Sequence, residues 1–167
     1  TYGKCGYPDT MKDILEDVGK SDGLVCATPI YFHNILGQLR TFLERLFFQY
    51  HSFEKNETSI APRKIYSAII YTMNITREQM QYSDYRKNLG LIEHYFDYTF
   101  HSYPDVIYAF NTLLMDDYSH HELSIWDVDY KKEYQKRYFK ENLRDAFDNG
   151  VKMAMKIKEN HNESLCD

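Results

Sequence analysis

The chain has 167 residues, with 25 Asp and Glu against 20 Lys and Arg, giving a formal net charge of -5 at pH 7. That length suffices for one domain with a real hydrophobic core, and the mild acidity argues against a surface built to track nucleic acid. No apolar run approaches the roughly 20 residues that span a bilayer, and the opening residues do not read as a secretory signal, so no membrane partner is expected.

Three cysteines, Cys5, Cys26 and Cys166, are odd in number and far apart. They make a poor disulfide framework and fit a reducing, cytoplasmic setting. The unusual bulk property is aromatic content, with 16 Tyr and 10 Phe. Tyrosine joins a flat apolar face to a polar edge, which suits an interface or a planar ligand equally well.

In chain order, Thr10 with Asp13 three residues on reads as a capping box, followed by a helical stripe of Met11, Ile14, Leu15 and Val18 that stops at Gly19. Leu24 to Ala27 is a short apolar run without alternation, which predicts a strand covered on both faces. A polar-aromatic loop follows. Ile35, Leu39, Phe42, Leu43, Leu46 and Tyr50 then share one face of a helix, with Gly37 in its first turn, where a missing side chain permits close approach.

Residues 51–63 read as a connection. Ile65 to Met73 predicts a second strand, after which Thr76 is placed to cap a helix. Leu89, Ile92, Tyr95, Phe96 and Thr99 set a helix over 85–100, and Val106 to Phe110 predicts a third strand after Pro104. The stretch from Leu114 to Trp126 is polar-aromatic and irregular. A charged helix over 131–140 is expected to give way at Asn142, a second cap, to a helix whose face holds Leu143, Ala146, Phe147, Gly150, Val151, Ala154 and Ile157. The mixed charges of 130–144 read as a solvated face or a subunit contact.

Strands alternating with helices predict a parallel sheet with helices on both faces. Only three strands can be counted, fewer than a typical sheet holds. In such folds ligands sit at the carboxyl ends of the strands, which directs attention to the loop 28–34 and to the end of the second predicted strand. From the residues alone, Tyr31 and Phe32 either lie against a planar ligand or plug the space over the sheet edge. Tyr71 to Asn74 form either a second wall or an ordinary strand-to-helix turn.

The chain resembles the flavodoxin-like NAD(P)H-dependent oxidoreductases, a group that includes NADPH-dependent FMN reductases and iron-sulfur flavoproteins. The likeness rests on Asp9 to Met11, the run Asp22-Gly23-Leu24-Val25, and the loop Thr28-Pro29-Ile30-Tyr31-Phe32. It continues through Gly37-Gln38-Leu39-Arg40, Glu44-Arg45, and Ala146-Phe147 with Gly150. Glu44 stands where the family usually places Asp.

This resemblance implies a flavodoxin-like three-layer α/β sandwich over residues 1–160 with a tail over 161–167. It also implies that the family's first two strands and its phosphate-binding loop lie outside this sequence. An upstream segment or a second chain is the expected source of that loop. The implied cofactors are FMN and NAD(P)H. The implied flavin contacts are Thr28, Pro29, Ile30, Tyr31, Phe32, Asn34 and Gly37, with Tyr71, Thr72, Met73 and Asn74.

The implied activity carries electrons from nicotinamide through flavin to a small planar acceptor such as a quinone, or to a protein, in a homo-oligomer. The alternatives are a flavin-binding electron-transfer module without NAD(P)H turnover, or a non-catalytic fragment of such a protein. Because the cofactor carries the reaction, no catalytic side chain is assigned.

Tyr118, His120 and His121 lie where a substrate or dinucleotide could be met, or in a solvated loop, and no metal-ligand spacing is found there. Cys5 stands at the place of the last cysteine in the iron-sulfur members' cluster. A cluster needs four ligands, and a single cysteine is present here. Cys26 reads as a small apolar filler.

Overall fold

In the computed structural model, residues 3–120 and 124–163 are described; His121 and Cys166 lie outside them. The elements are α1 (Met11–Lys20), β1 (Gly23–Tyr31), β2 (Asn34–Ile35), α2 (Gly37–Tyr50), β3 (Tyr66–Thr72), α3 (Arg77–Gln81), α4 (Tyr85–Phe100), β4 (Asp105–Ala109) and α5 (Val128–Glu163). They form an α/β fold with helices on both faces of a four-stranded sheet, ordered β2-β1-β3-β4. β1, β3 and β4 are parallel, with Cys26 opposite Ile69 and Tyr71 opposite Tyr108. β2 is a short antiparallel addition, pairing Ile35 with Ile30 and Asn34 with Tyr31.

The register sorts the side chains into two faces. Cys26, Thr28 and Ile30 of β1, Ile69 and Tyr71 of β3, and Val106 and Tyr108 of β4 point one way. They meet Leu15 of α1, Leu43 and Leu46 of α2, and Leu89, Ile92, Phe96 and Phe100 of α4 in one continuous core. Phe47 joins this core edge-on to Phe96, with ring centroids 5.1 Å apart. Gly19, in the last turn of α1, lies against the Tyr50 hydroxyl, where a side chain would collide.

The other face belongs to α5. Gly23 lies under Met153 and Ile157, and Asp105 receives Lys152 at 2.7 Å and Lys156 at 2.9 Å. α5 covers β4 and β3 but leaves β1 short of cover, so Val25 is 57% exposed. Val25 and its neighbour Ala27 correct the expectation of a strand buried on both faces. Along α5 itself, Phe139, Leu143, Phe147, Val151 and Met155 stand exposed at helical spacing. No helix among the described residues is long and apolar enough to cross a membrane.

Three local expectations change. Thr10 is itself helical and makes no side-chain cap, and the Asp9 carboxylate at that end is bound by Arg45 instead. Asn142 does not start a helix, because α5 runs unbroken through it. Asn in a helix interior is only mildly unfavourable, and nothing nearby has the force of Pro to end the run. β1 extends four residues past its expected end and closes a two-residue hairpin into β2. The capping box does form at Thr76, whose hydroxyl accepts from the Gln79 amide while the Gln79 side chain accepts from the Thr76 amide.

Candidate functional site

The carboxyl ends of β1 and β3 open into a groove of about 430 Å³. One wall is Pro29, Ile30, Tyr31 and Phe32; the other is Thr72, Met73 and Asn74. Thr112, Leu113, Leu114 and Trp126 complete it from the segment after β4. Seven of the eleven residues expected at a flavin are thus brought together.

The other four lie elsewhere. Thr28 is buried and works on the wall from behind: its hydroxyl donates to the Pro29 carbonyl at 2.8 Å and accepts from the Leu36 amide at 3.2 Å. Asn34 accepts from the Ile35 amide at 2.9 Å through its side chain, on the hairpin. Gly37 starts α2 with open space where a side chain would be. Tyr71 points to the core face, fully buried, with its hydroxyl unpartnered. Burial and the nearby Glu93 carboxylate push that phenol far up.

The hairpin tip is strained. Phe32 has φ 50° and His33 φ 65°, the pair of positive φ values that a two-residue hairpin turn of the right twist requires. Asn and Gly are the usual occupants, and a bulky residue there costs on the order of 1 kcal/mol or more. Phe32 is nevertheless 99% exposed, so the strain holds an aromatic ring out over the groove mouth rather than in the core. His33 anchors the turn by stacking on Tyr85 of α4, centroids 4.2 Å apart.

Beneath the Asn74 end lies a buried polar group that the sequence did not reveal. Lys131 of α5 is 3% exposed, and its ammonium donates to Asn111 Oδ1 at 2.6 Å and to the Asn74 carbonyl at 3.4 Å. Burial holds its pKa below the ordinary lysine value. Asn111 sits at φ 48°, and its amide nitrogen and Asn74 Oδ1 are buried without partners. This buried cation lies behind Asn74 of the groove wall, where its charge is only weakly screened. Lys131 looked like one more solvated charge on a helix. Trp126, the single tryptophan, was the available hint for the third wall.

Of the remaining expectations, Tyr118 is buried, its hydroxyl accepting from the Leu114 amide at 2.8 Å and so bracing the groove wall. His120 is on the surface beside Asp117. Cys26 is buried, and burial pushes its thiol up to about 11, as an inert core filler requires.

Residues 1–74 match the family model of NADPH-dependent FMN reductases. Over 44 residues, 26% of this chain and 20% of the relative, the sequence is 34% identical to an iron-sulfur flavoprotein of Archaeoglobus fulgidus. Over 41 residues, 25% of this chain and 21% of the relative, it is 37% identical to an iron-sulfur flavoprotein of Methanocaldococcus jannaschii. The chain thus aligns with about a fifth of the length of these curated relatives. Among solved structures, Smu.1420 from Streptococcus mutans UA159 superposes with a TM-score of 0.50 at 17% identity, covering 79% of this chain and 65% of that one. At that identity the likeness is one of fold. The chain therefore has a flavodoxin-like α/β fold, and its amino-terminal part is similar to the NADPH-dependent FMN reductases, over residues 1–74 that carry both strand-end walls of the groove, and to iron-sulfur flavoproteins.

Proposed function

We propose that this chain is the ring-binding part of an FMN-dependent NAD(P)H oxidoreductase that delivers electrons to a small planar acceptor such as a quinone, or to a protein. The observation that carries this reading is the groove itself. Two contiguous strand ends, 29–32 and 72–74, form facing walls at the position where open α/β sheets hold ligands. Both of them lie within residues 1–74, the segment similar to the NADPH-dependent FMN reductases.

The residues fit the ring better than the phosphate. Backbone N–H and C=O groups of the two walls suit the alternating donors and acceptors of a flavin pyrimidine edge. Tyr31 and Phe32 supply planar apolar area. Among the described residues that line the groove, none is basic and able to meet a phosphate dianion. When bound, flavin would supply hydride acceptance and electron release. Tyr31 and Phe32 would orient the ring, and Leu114 and Trp126 would exclude water from it. The Lys131 charge, buried behind Asn74, would favour negative charge developing in the groove. No side chain is asked to move a proton.

The free side of β1 is where an added strand would supply the phosphate contacts. Among the described residues, no strand pairs with that side below Ile30. A parallel strand laid there, from an upstream segment or a second chain, would cover Val25 and bring its own following loop to the groove's end. The exposed stripe of α5 suits contact with the same added layer or with another copy of the chain. The test is steady-state oxidation of NADH and NADPH with and without FMN. Consumption that depends on FMN is expected. A folded, flavin-loaded protein that consumes neither nucleotide would reduce the reading to electron transfer alone.

A further inference from the structure

A second groove, of about 610 Å³, runs between α3 and α5, beside the flavin groove at the carboxyl end of the sheet. The same three chain segments border both. Asn74 of the first leads to Arg77 of the second, Thr112 follows closely on Phe110, and Trp126 comes one turn before Tyr130. Asn74 and Arg77 lie at most about 11 Å apart along the chain.

Two chemistries meet in this second groove. Tyr130, Tyr134 and Tyr138 stand at successive turns of α5, with ring centroids 6.1 and 4.4 Å apart. Arg77 lies over the Phe110 ring at 5.0 Å, and Arg137 over the Tyr138 ring at 5.3 Å. Among the described residues neither arginine has an ion-pair partner within 4.0 Å. A guanidinium resting on an aromatic ring still has its N–H edge to offer. The acids of the groove are engaged or set apart. Glu133 holds Lys136 at 3.0 Å, and the Glu78 carboxylate is kept below its ordinary pKa by its own backbone amide and the Thr76 hydroxyl. Glu141 and Asp145 lie about one and two turns beyond Arg137, farther along α5 from the flavin groove. The near end therefore sets two uncommitted guanidinium groups beside a column of phenol rings. That pairing suits a ring joined to a phosphate, the ring stacking on tyrosine and the phosphate oxygens taking bidentate bonds from arginine.

We infer that the groove between α3 and α5 is a nucleotide site, in which the tyrosine column of α5 stacks the base and Arg77 and Arg137 hold a phosphate monoester. Two sources carry that chemistry. One is the adenosine end of a dinucleotide whose nicotinamide enters the flavin groove, the monoester being the 2′-phosphate of NADPH. The other is a free adenine nucleotide. The site stands without flavin, whereas the first source rests on the proposed oxidoreductase function.

Calorimetric titration of the full chain, free of flavin, with 2′,5′-ADP, 5′-AMP and adenosine tests the site. Both phosphate-bearing probes should bind at least about tenfold more tightly than adenosine. Arg77, Tyr130 and Arg137 are exposed, so their variants should fold. Arg77→Gln and Arg137→Gln should each weaken 2′,5′-ADP about five- to tenfold and leave adenosine unchanged, with part of the loss restored by Arg77→Lys and Arg137→Lys. Tyr130→Ala should weaken all three probes alike. Displacement of 2′,5′-ADP by NADP⁺ but not by NAD⁺ would assign the site to the dinucleotide, and simultaneous binding of NADP⁺ and 5′-AMP would assign it to a free nucleotide. A folded chain that binds none of the probes, adenosine binding as tightly as 5′-AMP, or 2′,5′-ADP affinity left intact by both Gln variants would overturn the inference. Nucleotide binding without FMN-dependent NADPH oxidation would uphold the site and count against the proposed function alone.

Discussion

Phe96 and Phe147 are both phenylalanines on long helices laid against the same sheet, yet Phe96 is wholly buried and Phe147 is 70% exposed. The first belongs to a face that three helices close, where Leu15, Leu43, Leu46 and Phe100 leave no solvent. The second belongs to a face on which one helix spans two of the three parallel strands. The difference teaches that the two faces are closed to different degrees. The core face holds the described fold together, while the α5 face offers apolar area to something more. The groove lies at the ends of β1 and β3, reached from both.

The largest expected effect breaks the comparison most plainly. Phe96→Ala should cost about 3–5 kcal/mol in denaturant unfolding, as large-to-small changes in a packed core do. Phe147→Ser should stay within about 0.5 kcal/mol, as exposed substitutions usually do. It should instead weaken self-association measured by sedimentation. Equal destabilisation by the two would mean that the α5 stripe is already packed in the isolated chain.

Glu93 sharpens the account of the closed face. It is fully buried on α4, accepting from Arg86 at 3.0 and 3.2 Å and from the Tyr103 hydroxyl at 2.8 Å. Glu93→Ala strands these donors and should cost about 2–3 kcal/mol.

On the other face, Asp105 ties α5 to β4. Burial raises its pKa, but the hydrogen bonds and charges of Lys152 and Lys156 lower it further, so it stands below its ordinary value. Its contribution is therefore full above the usual carboxylate pKa of about 4 and disappears as the pH falls through the depressed value. Asp105→Asn should cost about 1 kcal/mol at neutral pH, with mutant and parent converging in acid.

The smallest effect has the opposite sign. Phe32→Gly should relieve the positive-φ turn and stabilise the chain by up to about 1 kcal/mol, while weakening flavin binding. A stabilised variant with unchanged affinity would show that the exposed ring does not serve the groove.

Much of this architecture is legible in the sequence because its signals are periodic. The α4 stripe of Leu89, Ile92 and Phe96 and the apolar run of β3 map onto elements of nearly the expected bounds. What was hidden lacks periodicity or depends on tertiary context. The hairpin at Phe32 and His33 carries neither the Asn nor the Gly that marks such turns. Val25 reads as a buried strand residue, and only the sheet shows that its cover is incomplete. Asn142 imitates a cap within a helix that has no reason to stop. The first two walls of the groove could be read from strand ends, whereas Trp126 and Leu114 reach it from an irregular stretch. Lys131 is concealed because a buried lysine and a solvated one look the same in sequence.

The groove is the central claim, and Trp126 on its wall is a built-in reporter of it. The most direct measurement is the intrinsic tryptophan emission of the chain titrated with FMN and with riboflavin, which lacks the phosphate. Saturable quenching by both flavins, weakened in Tyr31→Ala, is the expected result. A folded chain whose Trp126 emission stays unchanged by either flavin, or quenching that Tyr31→Ala leaves untouched, would contradict it.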